Sequence, residues 1–220
     1  MKIQEKVLQM IQSGEGIGVE FKRRFSSYEK VAKEIIAFAN TRGGYILFGV
    51  DDDKSIYGIE SEKADIELIN DSALKYCEPP IQIKLFSLEI DYNEILVVEV
   101  PESKIKPHRL QDYKTNIELN TAQVYVRVND KSILSSKELI KLMQTKTTDK
   151  SLVNYIIGNQ EKAVFIFLDK NETITVKELS KLANISERRA SRTLIKLVRA
   201  NLLLIHQNDN GESYFTYQGA

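Results

Sequence analysis

Apolar residues recur at helical spacing near the start of the chain, where Ile3, Val7 and Met10 or Ile11 predict a short amphipathic helix that caps a core. Val19 and Phe21 then alternate with Glu20 and Lys22, which predicts an extended segment with both charged side chains on one face. Val31, Ile35 and Phe38 follow at i, i+4 and i+7, and Ser26 and Glu29 have capping-box spacing, so a helix is expected from Ser26 to Asn40. Gly43-Gly44 marks its stop, with a left-handed backbone and close chain approach. An apolar strand is expected from Tyr45 to Val50, running into Asp51-Asp52-Asp53, and another from Ile95 to Val100 before Pro101.

The pattern changes after the polar passage Gln144 to Ser151, which reads as a linker or a fraying helix end. Glu161 to Leu168 is expected as a short apolar helix. Thr175 and Glu178 form a capping box for a second, with Val176, Leu179, Leu182 and Ala183 inward. Asn184-Ile185 makes a turn, and Ser186 caps a third helix whose buried stripe is Ala190, Leu194 and Leu197. Leu202 to Ile205 and Ser213 to Tyr217 flank Asn208-Asp209-Asn210-Gly211, which predicts a hairpin. Three helices and a hairpin resemble a winged helix-turn-helix. The expected organisation is a first domain over 1–145, a linker or connecting helix over 146–158, and a winged helix-turn-helix over 159–220.

Composition narrows the class without choosing a function. With 42% hydrophobic and 28% charged residues, the 220-residue chain is ordinary globular protein. No run approaches a membrane span, and the opening residues lack the apolar core of a signal peptide, so a cytoplasmic protein with no membrane partner is expected. The single Cys77 cannot form an intrachain disulfide, and one Cys with two His leaves no structural zinc site of the usual kind. Net charge is zero, which argues against binding polyanions with the whole surface. Within 184–200, however, Arg188, Arg189, Arg192, Lys196 and Arg199 face only Glu187.

The block from Glu20 to Asp52 concentrates charged, amide and glycine residues between apolar elements, which core packing alone does not require. Glu-Phe-Lys at 20–22, Ala-Phe-Ala-Asn-Thr-Arg-Gly-Gly at 37–44, Gly-Val-Asp-Asp at 49–52 and Tyr-Gly-Ile at 57–59 occur in order. Pro107-His108, Tyr125-Val126-Arg127-Val128 and Ser132 follow downstream. Together these resemble the Schlafen-type AlbA-like domain of bacterial regulators over roughly residues 10 to 140. The resemblance implies an α+β fold, a mixed β-sheet with packed helices, joined here to the small C-terminal winged helix-turn-helix. Animal Schlafens resemble the core motif but carry a zinc site that this chain lacks.

Three chemistries compete for the first domain. As a nucleic-acid platform, Lys22, Arg23, Arg24, Arg42 and Arg127 offer cations to phosphates while Asn40 and Thr41 offer hydrogen bonds. Equally, Glu20, Lys22 and the polar helix end can pair with one another to hold the junction, with Asn40, Gly43 and Gly44 in structural roles. Schlafens that cleave RNA resemble the chain at Glu15, Glu20 and Asp51, which implies as an alternative an endoribonuclease whose carboxylates hold Mg²⁺ or Mn²⁺. Relatives described as divergent ATPases suggest nucleotide binding, but the chain has no Gly-x-x-x-x-Gly-Lys-Ser/Thr loop. His108 is expected as a turn or interface residue.

The reading that results is a DNA-binding transcriptional regulator, a homo-oligomer without a cofactor; enzymatic activity is left open, and if present it is that of the Mg²⁺- or Mn²⁺-dependent nuclease. Its third C-terminal helix enters the major groove of double-stranded DNA through Arg188, Arg189, Ser191, Arg192 and Lys196. RNA as the nucleic acid, and the winged helix as a protein-interaction module, are the alternatives.

Overall fold

Both central strands of the first unit bury side chains on both faces, which is why they read as continuous apolar runs. The computed structural model describes residues 3–146 and 157–218. It divides into two compact units, 1–134 and 135–220. The passage expected as a linker lies mostly outside the described residues.

In the first unit the helices are α1 (Ile3–Ser13), α2 (Tyr28–Asn40) and α3 (Glu62–Lys75). Strands β1 (Val19–Lys22), β2 (Gly44–Phe48), β4 (Lys84–Ile90) and β5 (Asn93–Val100) form a sheet in the order β1-β2-β5-β4. Its β1–β2 pair is parallel and the others are antiparallel, so the sheet is mixed. Two small ladders, β3 (Cys77–Glu78) with β6 (Arg109–Leu110) and β7 (Tyr125–Val128) with β8 (Lys131–Leu134), complete the unit.

The two-residue period of a strand sorts the apolar side chains. Ile46, Phe48, Leu96 and Val98 pack under Val31, Ile35 and Phe38 of α2 and Ile69 of α3. Leu47, Ile95, Val97 and Phe21 face the other way, against Val7 and Ile11 of α1. The N-terminal helix therefore caps the second face of the sheet, as its spacing predicts. Each fully buried Leu, Ile or Phe contributes about 1.5–3 kcal/mol.

Helix α2 starts one residue later than its sequence suggests. Ser27, not Ser26, is the N-cap, and its hydroxyl accepts from Lys30 N. Three residues on from Ser27 stands a lysine, so the reciprocal carboxylate of a capping box is missing here.

The second unit contains α4 (Lys137–Lys146), α5 (Asn159–Leu168), α6 (Val176–Leu182) and α7 (Glu187–Arg199). Strands β9 (Ile174–Thr175), β10 (Leu203–Gln207) and β11 (Ser213–Tyr217) make an antiparallel sheet in the order β10-β11-β9. Thr175 and Glu178 form the expected capping box, Ser186 caps α7, and Asn184 takes a left-handed turn at φ 49° between the two helices. Val164, Leu179, Leu194, Leu197, Leu203 and Phe215 close the core. Helix-turn-helix followed by a β hairpin is the arrangement of a winged helix. Among the described residues no helix is long and apolar enough to cross a membrane.

Candidate nucleic-acid interface

The polar block of the first unit is organised by a buried arginine. Arg127 on β7 has a fully buried side chain and donates from Nη1 to Glu20 at 2.8 Å and to Glu34 at 3.3 Å. Its Nη2 donates to the Gly16 carbonyl at 2.6 Å, and the guanidinium lies 4.7 Å from the centre of the Phe38 ring. Ser132 on β8 donates to Glu34, and Lys22 donates to Glu20, so both buried carboxylates are multiply satisfied. A buried charge this costly to desolvate persists only with such partners. Arg127 was expected as a phosphate contact; instead it ties β1, α2 and β7 together, and its burial removes it from any nucleic-acid surface.

Asn40 closes the same junction from the end of α2. Its Nδ2 donates to the carbonyls of His108 and Tyr125 at 2.8 and 3.0 Å, and its Oδ1 accepts from His108 N at 2.8 Å. Thr41 Oγ1 accepts from Arg127 N and donates to the Ala37 carbonyl. His108 is buried, with Nδ1 2.7 Å from the Pro79 carbonyl and Nε2 2.7 Å from Ser103 Oγ. Burial, chiefly, pushes its imidazole below the usual value. These residues hold the fold rather than face solvent.

The three carboxylates expected as metal ligands have separate engagements. Glu15 accepts from Phe21 N at 2.7 Å, Glu20 is taken by Arg127 and Lys22, and Asp51 pairs with exposed Arg23 at 3.4 Å. Burial is the main cause that pushes the Glu15 carboxyl up; the Phe21 amide opposes it, and the Glu20 charge adds to the rise. Among the described residues no group of three or more His, Cys, Asp or Glu side chains is placed to hold a metal ion. The structure thus does not assemble Glu15, Glu20 and Asp51 as a ligand set. Lys22 is half-buried against Glu20, whereas Arg23 and Arg42 are exposed.

In the second unit, α7 separates its residues by face. Ala190, Leu194 and Leu197 are wholly buried, while Arg188, Arg189, Arg192 and Lys196 are exposed. Arg188, Arg192 and Lys196 recur every four residues and form one cationic stripe, with Arg189 beside it. After reorientation of the Gln160 amide, its oxygen accepts from Arg189 Nε at 2.8 Å, which steers that side chain toward the start of α5. Ser191 is a further correction. It is buried, donates to Glu138 of α4 at 2.7 Å and accepts from Lys141 at 3.3 Å, so it joins two helices rather than meeting bases.

A family model described as "Schlafen, AlbA_2" matches residues 15–136, more than half of the chain. The chain belongs to the Schlafen AlbA_2 family. An uncharacterized ATP-binding protein of Ureaplasma parvum serovar 3 is 30% identical over 136 residues, which cover 53% of this chain and 38% of that protein. The chain thus spans little more than a third of that relative's length. Among solved structures, the N-terminal domain of a Nitrosomonas europaea protein titled "Putative ATP-dependent DNA Helicase RecG-related Protein" aligns with a TM-score of 0.41 and 24% identity, covering 51% of this chain and 81% of that one. A Corynebacterium diphtheriae protein aligns with a TM-score of 0.46 and 13% identity, covering 99% of this chain and 39% of that one.

The AlbA_2 residues that stand out in the sequence are therefore largely those that close its fold. Gly43 lies at φ +72°, and a Cβ there would stand 2.7 Å from the Val100 carbonyl. At Gly44 it would stand 2.4 Å from the Phe38 ring. What the sequence did not reveal is Glu34, the second carboxylate on Arg127. Its only local signal is an acid set beside the apolar stripe of α2, next to Ile35 and Ile36.

Proposed function

We propose that this AlbA_2 protein is a DNA-binding regulator whose winged helix-turn-helix meets double-stranded DNA through α7. The observation that carries this reading is the exposed stripe Arg188, Arg192 and Lys196, opposite the buried Ala190, Leu194 and Leu197. Such a helix presents cations to phosphates and base edges while its other side anchors it. Membership of the AlbA_2 family fits a nucleic-acid-binding role. A homo-oligomer suits this reading, because two copies on symmetric half-sites add the specificity that one small module lacks.

The test is a titration of the full chain with duplex DNA across salt concentrations. Binding should weaken as salt rises, and Arg188→Ala with Arg192→Ala should reduce the slope of log K against log salt by about 2 if each arginine neutralises a phosphate. Equal affinity and an equal slope in that double variant would sink the proposal. Both side chains are exposed, so the fold should survive their removal.

A further inference from the structure

Arg189, Arg192 and Lys196 line one pocket between α7 and the start of α5, together with buried Thr193, Gln160 and Glu161. Spacings of three and four residues gather the three cations on one side of the helix, where they repel one another. Neither Arg192 nor Lys196 has a hydrogen-bond or ion-pair partner among the described residues. Glu161 is the acid that lines the pocket, and its carboxylate accepts from the Gly158 amide at 2.9 Å. Three positive charges therefore face a single negative one.

Arg189 is oriented by a neutral partner. With the Gln160 amide reoriented, its oxygen accepts from Arg189 Nε at 2.8 Å and Nη2 at 3.0 Å, and its nitrogen donates to Thr193 Oγ1 at 3.2 Å. Thr193 Oγ1 in turn donates to the Arg189 carbonyl at 3.2 Å. The guanidinium is thus fixed in direction while its charge is left uncompensated, and such ordering in advance lowers the entropy lost when an anion docks. Two guanidinium forks and an ammonium match the several oxygens and near-double charge of a free phosphate. A backbone phosphodiester, with one charge and two unesterified oxygens, fills them less well.

We propose that the pocket between α5 and α7 binds a free, multiply charged oxyanion of the phosphate class, and that its occupancy takes Arg192 and Lys196 away from DNA. The second half rests on the DNA-binding reading of α7; the first half does not, and the two are measured apart. Calorimetric titrations of the full chain at constant ionic strength with inorganic phosphate, pyrophosphate and dimethyl phosphate read the site without DNA. Phosphate and pyrophosphate should bind with dissociation constants of about 1 mM or tighter, and dimethyl phosphate about tenfold more weakly. Arg189→Ala should weaken pyrophosphate binding about ten- to hundredfold, the range expected for a lost charge-assisted contact, and Gln160→Ala, which removes only the orienting amide, by less. An unaltered melting temperature verifies that both variants fold. No binding at about 10 mM, an affinity that Arg189→Ala leaves unchanged, or dimethyl phosphate binding as tightly as phosphate would overturn the site. In a second arm, pyrophosphate should release bound duplex DNA more effectively than sodium chloride of the same ionic strength. Equal release overturns the regulatory half alone, and a chain that binds no duplex at all overturns it together with the DNA-binding reading, while the calorimetric result stands.

Discussion

Arg127 donates to Glu20 at 2.8 Å across 107 residues of chain, with the arginine side chain wholly shielded from water. Glu34 shares the same guanidinium nitrogen. Arg127→Ala would leave two carboxylates buried without their cation, and a loss of about 3–5 kcal/mol in unfolding free energy is expected from urea denaturation. A double-mutant cycle with Glu20→Gln should recover part of that loss, because the neutral amide no longer needs a counter-charge. Additive effects would show that the two residues do not act on each other.

Gly44 should tolerate no side chain. A Cβ at that position meets the Phe38 ring at 2.4 Å and the Gly18 carbonyl at 2.8 Å, both inside the packed junction. Gly44→Ala is expected to cost about 1–3 kcal/mol by overpacking. Gly16→Ala, where nothing lies within 4 Å of the new carbon, is the control and should change little. Thermal melts of the two variants decide the matter.

The buried imidazole of His108 makes the fold sensitive to acid. Burial is the main cause that lowers it from the ordinary value of 6.5, and the Lys106 charge acts in the same sense against the Pro79 carbonyl and Glu78. The sign follows from linkage: below about pH 6.5 the unfolded chain takes up a proton at this residue while the folded chain resists it. Stability therefore falls as pH drops from 6.5 toward the lowered folded value, and is recovered above that window. His108→Gln should flatten this part of a plot of unfolding free energy against pH. An unchanged slope between pH 6.5 and 5 would show that other groups set it.

The expectations that held were local ones. The runs at Tyr45–Val50 and Ile95–Val100, the capping box at Thr175 and Glu178, and the turn at Asn184 depend on neighbours in the sequence. The start of α2 slipped by one because Ser26 and Ser27 are both good caps, and only the folded chain selects between them. Arg127 and Ser191 were misplaced for a different reason. Partners 107 residues away for one, and a neighbouring helix for the other, decide whether a polar side chain is surface or core. On α7, Ser191 lies about 100° round from Ala190, at the margin of the apolar stripe, where the helix pattern alone does not choose.

The Arg127 lock also bears on the order in which the first unit assembles. Closing a loop of more than a hundred residues costs chain entropy before the ion pair returns anything. The β7–β8 hairpin is therefore expected to join late, after α2 and the four-stranded sheet have formed. Until it arrives, Glu20 and Glu34 keep the open junction hydrated and negatively charged, which discourages association between half-formed chains. Pulse-labelled hydrogen exchange during refolding would show this as amide protection at Phe48 and Val97 preceding that at Arg127, and simultaneous protection would refute it.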